Sequence, residues 1–87
     1  MRLRAWLRLE ASAPEDRAQM MLSVDRANRQ QGFFDNMEDR PVRSAEWTRC
    51  DLTAHIDPDA TTITIAVLSA GRGRVWVDSV SFEVVDR

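Results

Sequence analysis

The 87-residue chain has one cysteine, one histidine and no lysine, and these shortages exclude several kinds of site. A single cysteine cannot form an internal disulfide and excludes most cysteine-based metal sites. Cys50 and His55 have opposite parity on one alternating stretch, so they point to opposite faces of a strand, which argues against a catalytic Cys–His pair. We expect Cys50 to be a small buried apolar residue and His55 to be a surface residue.

The chain also lacks long apolar runs and a large excess of either charge. Its N-terminus, MRLRAWLRLE, alternates charged and apolar residues, which suits neither a signal peptide nor a membrane span. We therefore expect a cytoplasmic location and no membrane partner. With 12 basic and 14 acidic residues the net charge is −2, so nucleic acid is not an expected partner. The composition is that of one small globular domain over residues 1–87.

Period-two alternation of apolar and polar residues dominates the chain and predicts β-strands. The predicted strands cover residues 2–10, 18–26, 33–34, 47–56, 61–69 and 73–85. Residues 18–26 also contain good helix formers, and we favour a strand there because of the alternation. Residues 27–32 and 70–73 are predicted hairpin turns, and residues 35–46 a long structured surface loop. Five or six short strands without a clear helix predict an all-β, antiparallel β-sandwich.

The last predicted strand, GRVWVDSVSFEVV at residues 73–85, has the strongest β signal and a change of parity. Its apolar residues fall on odd positions before Asp78 and on even positions after it. Either a β-bulge at Asp78–Ser79 switches the faces, or the even positions face the core throughout. We favour the second arrangement because Trp76 is the larger apolar group. It places Asp78 against the core, where a carboxylate requires a partner.

Two stretches of the chain resemble a known kind of domain. From Trp47 onward, the order of strands and turns and the closing VWVDSVSF resemble the C-terminal half of bacterial galactose-binding-like jelly rolls, the fold of many carbohydrate-binding modules. Their closing strand often reads V-x-V/I-D-D-V-x-L/F, and here Ser79 replaces the second Asp. The stretch GFFDNMEDRPVRSAEW resembles an FDNMxDRP segment followed by D-W, with Glu46 in place of that Asp. Such segments occur in accessory β-domains of bacterial proteins, including some AraC-type transcription regulators.

The resemblance implies that the N-terminal strands of such a domain are missing. These domains are about one and a half times as long as this chain, and they have strands before the one that RLRAWLRLE resembles. We therefore expect either a fragment of a larger protein or a homo-oligomer that covers unpaired strand edges and apolar surface. No DNA-binding helices precede the strand, so the function of the regulators is not carried over.

The resemblance also implies a metal site at one residue. In carbohydrate-binding jelly rolls, the aspartate that Asp78 matches often helps to hold a structural calcium ion, which needs six to eight oxygen ligands. We favour the alternative that Asp78 accepts hydrogen bonds from backbone amides or arginine. No other cofactor is expected.

The first candidate binding site is the outer face of the first strand, formed by Arg4, Trp6 and Arg8. A tryptophan can stack against a sugar ring while neighbouring arginines bind hydroxyls or carboxylates. Tryptophan and arginine are equally typical of contacts between protein subunits. A third interpretation is an exposed tryptophan covered by the alkyl parts of its arginine neighbours.

The second candidate site is the polar loop that contains Asp35, Asn36, Glu38, Asp39 and Arg40. Paired carboxylates perform glycosidase chemistry only at a fixed separation across a cleft. We expect instead that Asp35 or Asn36 binds backbone amides and that Asp39 and Arg40 lock the loop, with ligand binding as the alternative.

The sequence thus predicts a non-catalytic interaction or structural module that self-associates. The alternative from another class is a binding module for a carbohydrate or a similar small polar ligand. An enzyme is the least favoured class, because no nucleophile–base pair or metal cluster can be assembled from the sequence.

Overall fold

A computed structural model describes residues 1–84 of the chain and contains six β-strands. The strands are β1 (Arg2–Glu10), β2 (Arg17–Arg26), β3 (Gln31–Asp35), β4 (Thr48–Thr53), β5 (Ala60–Ala70) and β6 (Arg74–Glu83). A short 3-10 turn, Ala27–Arg29, joins β2 to β3. All six predicted strands are present, and Val85, the predicted end of the last one, lies outside the described residues. Residues 1–84 contain no helix with the length and hydropathy that a bilayer crossing requires.

The strands form two antiparallel three-stranded sheets, which confirms the predicted sandwich. The first sheet has the order β4-β1-β6 and the second has the order β3-β2-β5. β1 and β2 are the central strands, and their alternating apolar residues face each other between the sheets. The buried core consists of Leu3, Ala5, Leu7, Leu9, Ala18, Met20, Leu22, Val24, Met37, Val42, Cys50, Leu52 and Ala54.

The loop between β3 and β4 closes one side of the sandwich. Ala18 of β2 exchanges two backbone hydrogen bonds with Val42, at 2.9 and 2.8 Å. Two residues later, the carbonyl of Ser44 accepts a bond from the amide of Leu9 in β1, at 2.8 Å. The segment therefore crosses from the second sheet to the first. This fixes β3 and β4 on the same side of the sandwich and leaves β5 and β6 on the other side.

The connection between β5 and β6 is not the predicted hairpin. Among the strands of residues 1–84, β5 pairs only with β2 and β6 only with β1, so residues 71–73 carry the chain from one sheet to the other. Asp16, which is buried, holds this crossover to the β1–β2 loop. Its carboxylate accepts bonds from the amides of Ser12, Ala13 and Arg72 at 2.8, 3.1 and 3.1 Å. The bond from the Ser12 amide is the main cause that lowers the pKa of Asp16, and together these bonds outweigh the effect of burial.

The favoured arrangement of the last strand is wrong, because a β-bulge switches its faces. The register with β1 shifts between Arg4 and Trp6, and Ser79 has the left-handed φ of 55°. Before the bulge, the odd-numbered Val75 and Val77 are paired with the inward-facing leucines of β1. After it, the even-numbered Phe82 packs on the core. The bulge therefore turns Val75, Val77 and Phe82 toward the inner face of the sheet, where Val75 and Phe82 pack on the core, and Asp78 and Trp76 lie on the outer face.

Candidate functional site

The outer face of the first sheet brings together residues from three strands in rows that follow the register. Along β1, the outward residues are Arg2, Arg4, Trp6, Arg8 and Glu10. Trp6 is paired with Arg49 of β4 on one side and with Asp78 of β6 on the other. Arg8 is paired with Trp76 of β6. Trp47 lies one residue before β4, so the same register places it on the other side of Arg8.

Arg8 is held between two tryptophan rings. Its guanidinium carbon lies 4.9 Å from the ring centroid of Trp76 and 5.5 Å from that of Trp47. Each such cation–π contact contributes about 0.5–1 kcal/mol at an exposed site. Nε of Arg8 is buried and has no hydrogen-bond partner among residues 1–84. Arg8 also forms no ion pair with a residue of this range, since the ion pairs of the outer face involve other arginines.

The rings of all three tryptophans of the chain remain accessible on this face. Trp6, Trp47 and Trp76 are 40%, 45% and 41% exposed. We call Trp6, Arg8, Trp47 and Trp76 the tryptophan face. Its chemistry is a half-exposed aromatic surface around one cation without a counter-charge, which suits an apolar or ring-shaped group that also carries an acceptor or a carboxylate.

Three other arginines of the outer face, Arg2, Arg4 and Arg49, are neutralised by acidic neighbours. Nε of Arg4 lies 2.6 Å from Oδ1 of Asp51, and Arg2 forms an ion pair with Glu83. The bond from Arg4 is the main cause that lowers the pKa of Asp51. Of the predicted trio, Arg4 is therefore occupied by an ion pair. Trp6 has an exposed ring, and Arg8 has a charge that no acidic residue of residues 1–84 neutralises.

Sequence reasoning found Trp6 and Arg8 but missed Trp47 and Trp76. The size of Trp76 predicts a position in the core, and the bulge at Ser79 places it on the outer face instead. Trp47 was recognised only as the start of a strand. Both tryptophans lie beside Arg8 because β4 and β6 pair with β1. The sequence has no local feature that shows this pairing.

The loop at Asp35–Arg40 is a closed hydrogen-bond system, as the sequence predicted. The carboxylate of Asp35 accepts the amide of Met37 at 2.9 Å and binds Arg40 at 2.5 Å. Arg40 also binds Asp39 at 2.6 Å, and the side chain of Asn36 accepts the amide of Glu38 at 3.1 Å. Burial raises the pKa of Asp35, but the bonds from Arg40 and Met37 outweigh it and lower that pKa. These groups are already partnered within the loop.

Met37 gives this loop an anchor that the sequence analysis missed. Its side chain is buried in the core although its neighbours are polar, and its φ of 59° is left-handed. The amide of Met20 in β2 lies 3.3 Å from its Sδ atom. The loop is thus a structural part of the sandwich.

Cys50 and His55 lie where the sequence predicted. Cys50 is buried, and burial raises the pKa of its thiol. It lies beside a groove of about 570 Å³ between β4 and the loop, whose lining also includes Arg43 and Arg49. His55 is exposed on the surface.

Asp78 is exposed beside Trp6 and is not the buried acceptor that we favoured. Its carboxylate has no hydrogen-bond or ion-pair partner within residues 1–84. An exposed carboxylate is solvated by water and does not require one. The same part of the chain contains no group of three histidine, cysteine, aspartate or glutamate side chains arranged to hold a metal ion.

Among known proteins, the chain is similar to YbfP of Bacillus subtilis (strain 168), described as an uncharacterized HTH-type transcriptional regulator. The two are 33% identical over 70 residues, which cover 79% of this chain and 24% of the regulator. The chain therefore spans about a quarter of the length of that relative. No protein-family model matches the chain. No solved structure matches it either.

Proposed function

We propose that this chain is a non-catalytic interaction module that binds a protein surface through the tryptophan face. The observation that carries the proposal is Arg8, a cation without an acidic partner in residues 1–84, placed between the accessible rings of Trp47 and Trp76. The contacts of Arg8 within residues 1–84 are aromatic rings, so its charge is not neutralised there. A partner that supplies a carboxylate would neutralise it.

The chemistry of the partner follows from this arrangement. Tryptophan and arginine are the residue types that contribute most to protein–protein affinity. A carboxylate beside an apolar or aromatic group would neutralise Arg8 and cover the rings. The similarity to about a quarter of a helix-turn-helix regulator supports a role as an accessory module of such a protein.

Carbohydrate binding is the second candidate, and Trp6 favours it. Its ring is 40% exposed and, unlike Trp47 and Trp76, is not stacked on an arginine within the described part of the chain. A free indole ring is the usual platform for a sugar. In that case Arg49, its neighbour across the sheet, would bind hydroxyls or a uronic acid carboxylate.

Parallel arrays of short acidic, aromatic-containing peptides and of neutral and acidic glycans test the two candidates. We expect peptide binding that is lost in Arg8→Met and Trp76→Ala. Matched controls on the second sheet, Arg17→Met and the equally exposed aromatic Phe34→Ala, should keep it.

Three other results of the arrays would contradict peptide binding by the tryptophan face. Glycan binding that is lost in Trp6→Ala would select the carbohydrate function instead. Glycan or peptide binding that survives Trp6→Ala and Arg8→Met but is lost in Phe34→Ala would move the site to the Asp35–Arg40 loop. An absence of binding on both arrays would overturn the proposal.

A further inference from the structure

One side of the sandwich is open, and its exposed residues are apolar. Ile63, Ile65 and Val67 are paired with Val24, Leu22 and Met20, so they point inward. They are nevertheless 38%, 42% and 39% exposed, whereas their three partners on β2 are at most 1% exposed. Val77, on the inner face of β6, is 42% exposed. We call Ile63, Ile65, Val67 and Val77 the open side.

β5 differs from the other three edge strands of residues 1–84 because, after a register shift at Thr61 near its start, it has no protection against pairing. β3 and β4 are short, with five and six residues, and both contain charged side chains. β6 has charged residues and a bulge. β5 is 11 residues long, and its sequence ATTITIAVLSA contains no charge, proline or glycine. Edge strands usually carry such devices because an unprotected edge pairs with another strand.

We propose that two copies of this chain pair through β5, antiparallel and in a register centred on Ile65. A two-fold axis requires that each residue and its partner exchange places across the interface. Centred on Ile65, the axis places Ile65 opposite its equivalent and Ile63 opposite Val67 of the second copy. All three inward apolar residues of β5 are then matched with apolar residues, and the two second sheets become one six-stranded sheet.

The open side is small for a dimer interface, so pairing through β5 must combine its apolar contacts with main-chain hydrogen bonds. An 11-residue strand is about 36 Å long, and packed sheets lie about 10 Å apart. Each copy therefore offers roughly 360 Å², and a symmetric pair buries about 700 Å² of side-chain surface, which is at the small end for protein interfaces. The main-chain hydrogen bonds between the two β5 strands supply the further affinity, as in other interfaces formed by strand addition. The inner faces of both copies lie on the same side of the joint sheet, so the two β6 strands approach each other in the other layer.

The mass in solution is the first test. The chain has a mass of 10.0 kDa, and we expect sedimentation equilibrium at micromolar concentration to give twice this value. Ile65→Lys places two ammonium groups at the axis and should halve the mass while the far-ultraviolet circular dichroism is unchanged. Phe34→Lys, on the opposite edge of the same sheet, should remain dimeric.

Disulfide trapping tests the register without depending on a destabilising change. In a Cys50→Ala background, Ile65→Cys places two thiols opposite each other at a Cα separation of about 4.5–5.5 Å, which a disulfide can span. Mild oxidation should therefore give a covalent dimer. Ile63→Cys alone should not cross-link, whereas Ile63→Cys with Val67→Cys should. Leu68→Cys, equally exposed but on the outer face, is the matched control.

A monomeric mass at micromolar concentration would overturn the proposal and would leave the open side to a strand from a different protein. A dimer that cross-links at Leu68→Cys as readily as at Ile65→Cys would also overturn it. So would a dimer that is separated by changes in the tryptophan face.

Discussion

Replacing Gly71 with alanine should destabilise the protein at the crossover between the two sheets. Gly71 has a φ of +98°, in the region that favours glycine. A Cβ atom at this position would lie 1.8 Å from Oδ1 of Asp16 and 3.1 Å from its Cα. The same Oδ1 accepts the amide of Arg72 at 3.1 Å. The methyl group must therefore displace the carboxylate that holds the crossover to the β1–β2 loop.

Two contributions determine how much Gly71→Ala reduces the free energy of unfolding. A non-glycine residue in a left-handed conformation costs about 1–2 kcal/mol. The Arg72 amide loses its acceptor, and an unmade bond at a partly buried amide costs about 1–2 kcal/mol more. Gly71→Ala should therefore reduce the free energy of unfolding by about 2–4 kcal/mol. Small domains are stable by only about 5–15 kcal/mol, so the effect is large.

Urea unfolding followed by circular dichroism at one fixed protein concentration measures this effect as a lower midpoint with an unchanged slope. Gly32→Ala is the matched control. Its Cβ would meet only side-chain atoms of Asp57 and Arg26, and its stability should change by less than about 1 kcal/mol. In an Asp16→Ala background, Gly71→Ala should cost less because the obstructing carboxylate is gone. Equal effects of Gly71→Ala and Gly32→Ala would refute the reasoning.

Three further predictions concern single residues. The pKa of Asp16 is lowered in the fold, so its contribution to stability is complete above about pH 4 and is lost as the pH falls through the lowered value. Below about pH 4, the free energy of unfolding should therefore decline less steeply for Asp16→Asn than for the wild-type protein, as acid titrations of unfolding would show. The buried Cys50, whose pKa burial raises, should react with a thiol reagent only in urea, and rapid labelling in buffer would contradict its placement. Because Ser79 has a φ of 55°, Ser79→Gly should raise the free energy of unfolding by about 0.5–1 kcal/mol and Ser79→Val should lower it by more than about 1 kcal/mol. The reverse order in thermal melts would argue against the bulge.

The strands could be predicted because each one carries its own local signal. In β1, strict alternation of leucine and alanine with charged residues identifies both the strand and its buried face. The sheet to which each strand belongs has no comparable signal. The sequence AGRG between β5 and β6 indicates a turn, but it does not tell whether the flanking strands pair with each other or with β1 and β2. That choice depends on long-range pairing.

The sequence predicts the wrong face for Trp76 and Asp78 and gives no sign of the buried Met37, and the reason is of the same kind in each case. The bulge at Ser79 is occupied by a serine, so no glycine marks the point where the faces of β6 switch. Without such a mark, the size of Trp76 predicts the inner face, which is wrong. Met37 lies in a polar loop but is buried, with its Sδ atom 3.3 Å from the amide of Met20 in β2, and no alternation of apolar and polar residues predicts that contact. The polar composition of this segment predicts a loop, but it does not predict that the loop packs against β2.

The two proposals together predict that the protein binds its ligand bivalently. Pairing through β5 has its two-fold axis perpendicular to the second sheet, so both first sheets lie on one side of the dimer and both tryptophan faces point in the same direction. A surface dense in ligand could then engage both faces at once, and linked binding of this kind exceeds single-site affinity by about 10²–10⁴-fold. The wild-type protein should dissociate from a densely coated surface far more slowly than from a sparse one, as biosensor measurements would show. The monomeric Ile65→Lys variant should bind both surfaces with the same single-site affinity. If Ile65→Lys also loses affinity for free ligand in solution, the two surfaces are coupled and the reasoning from symmetry fails.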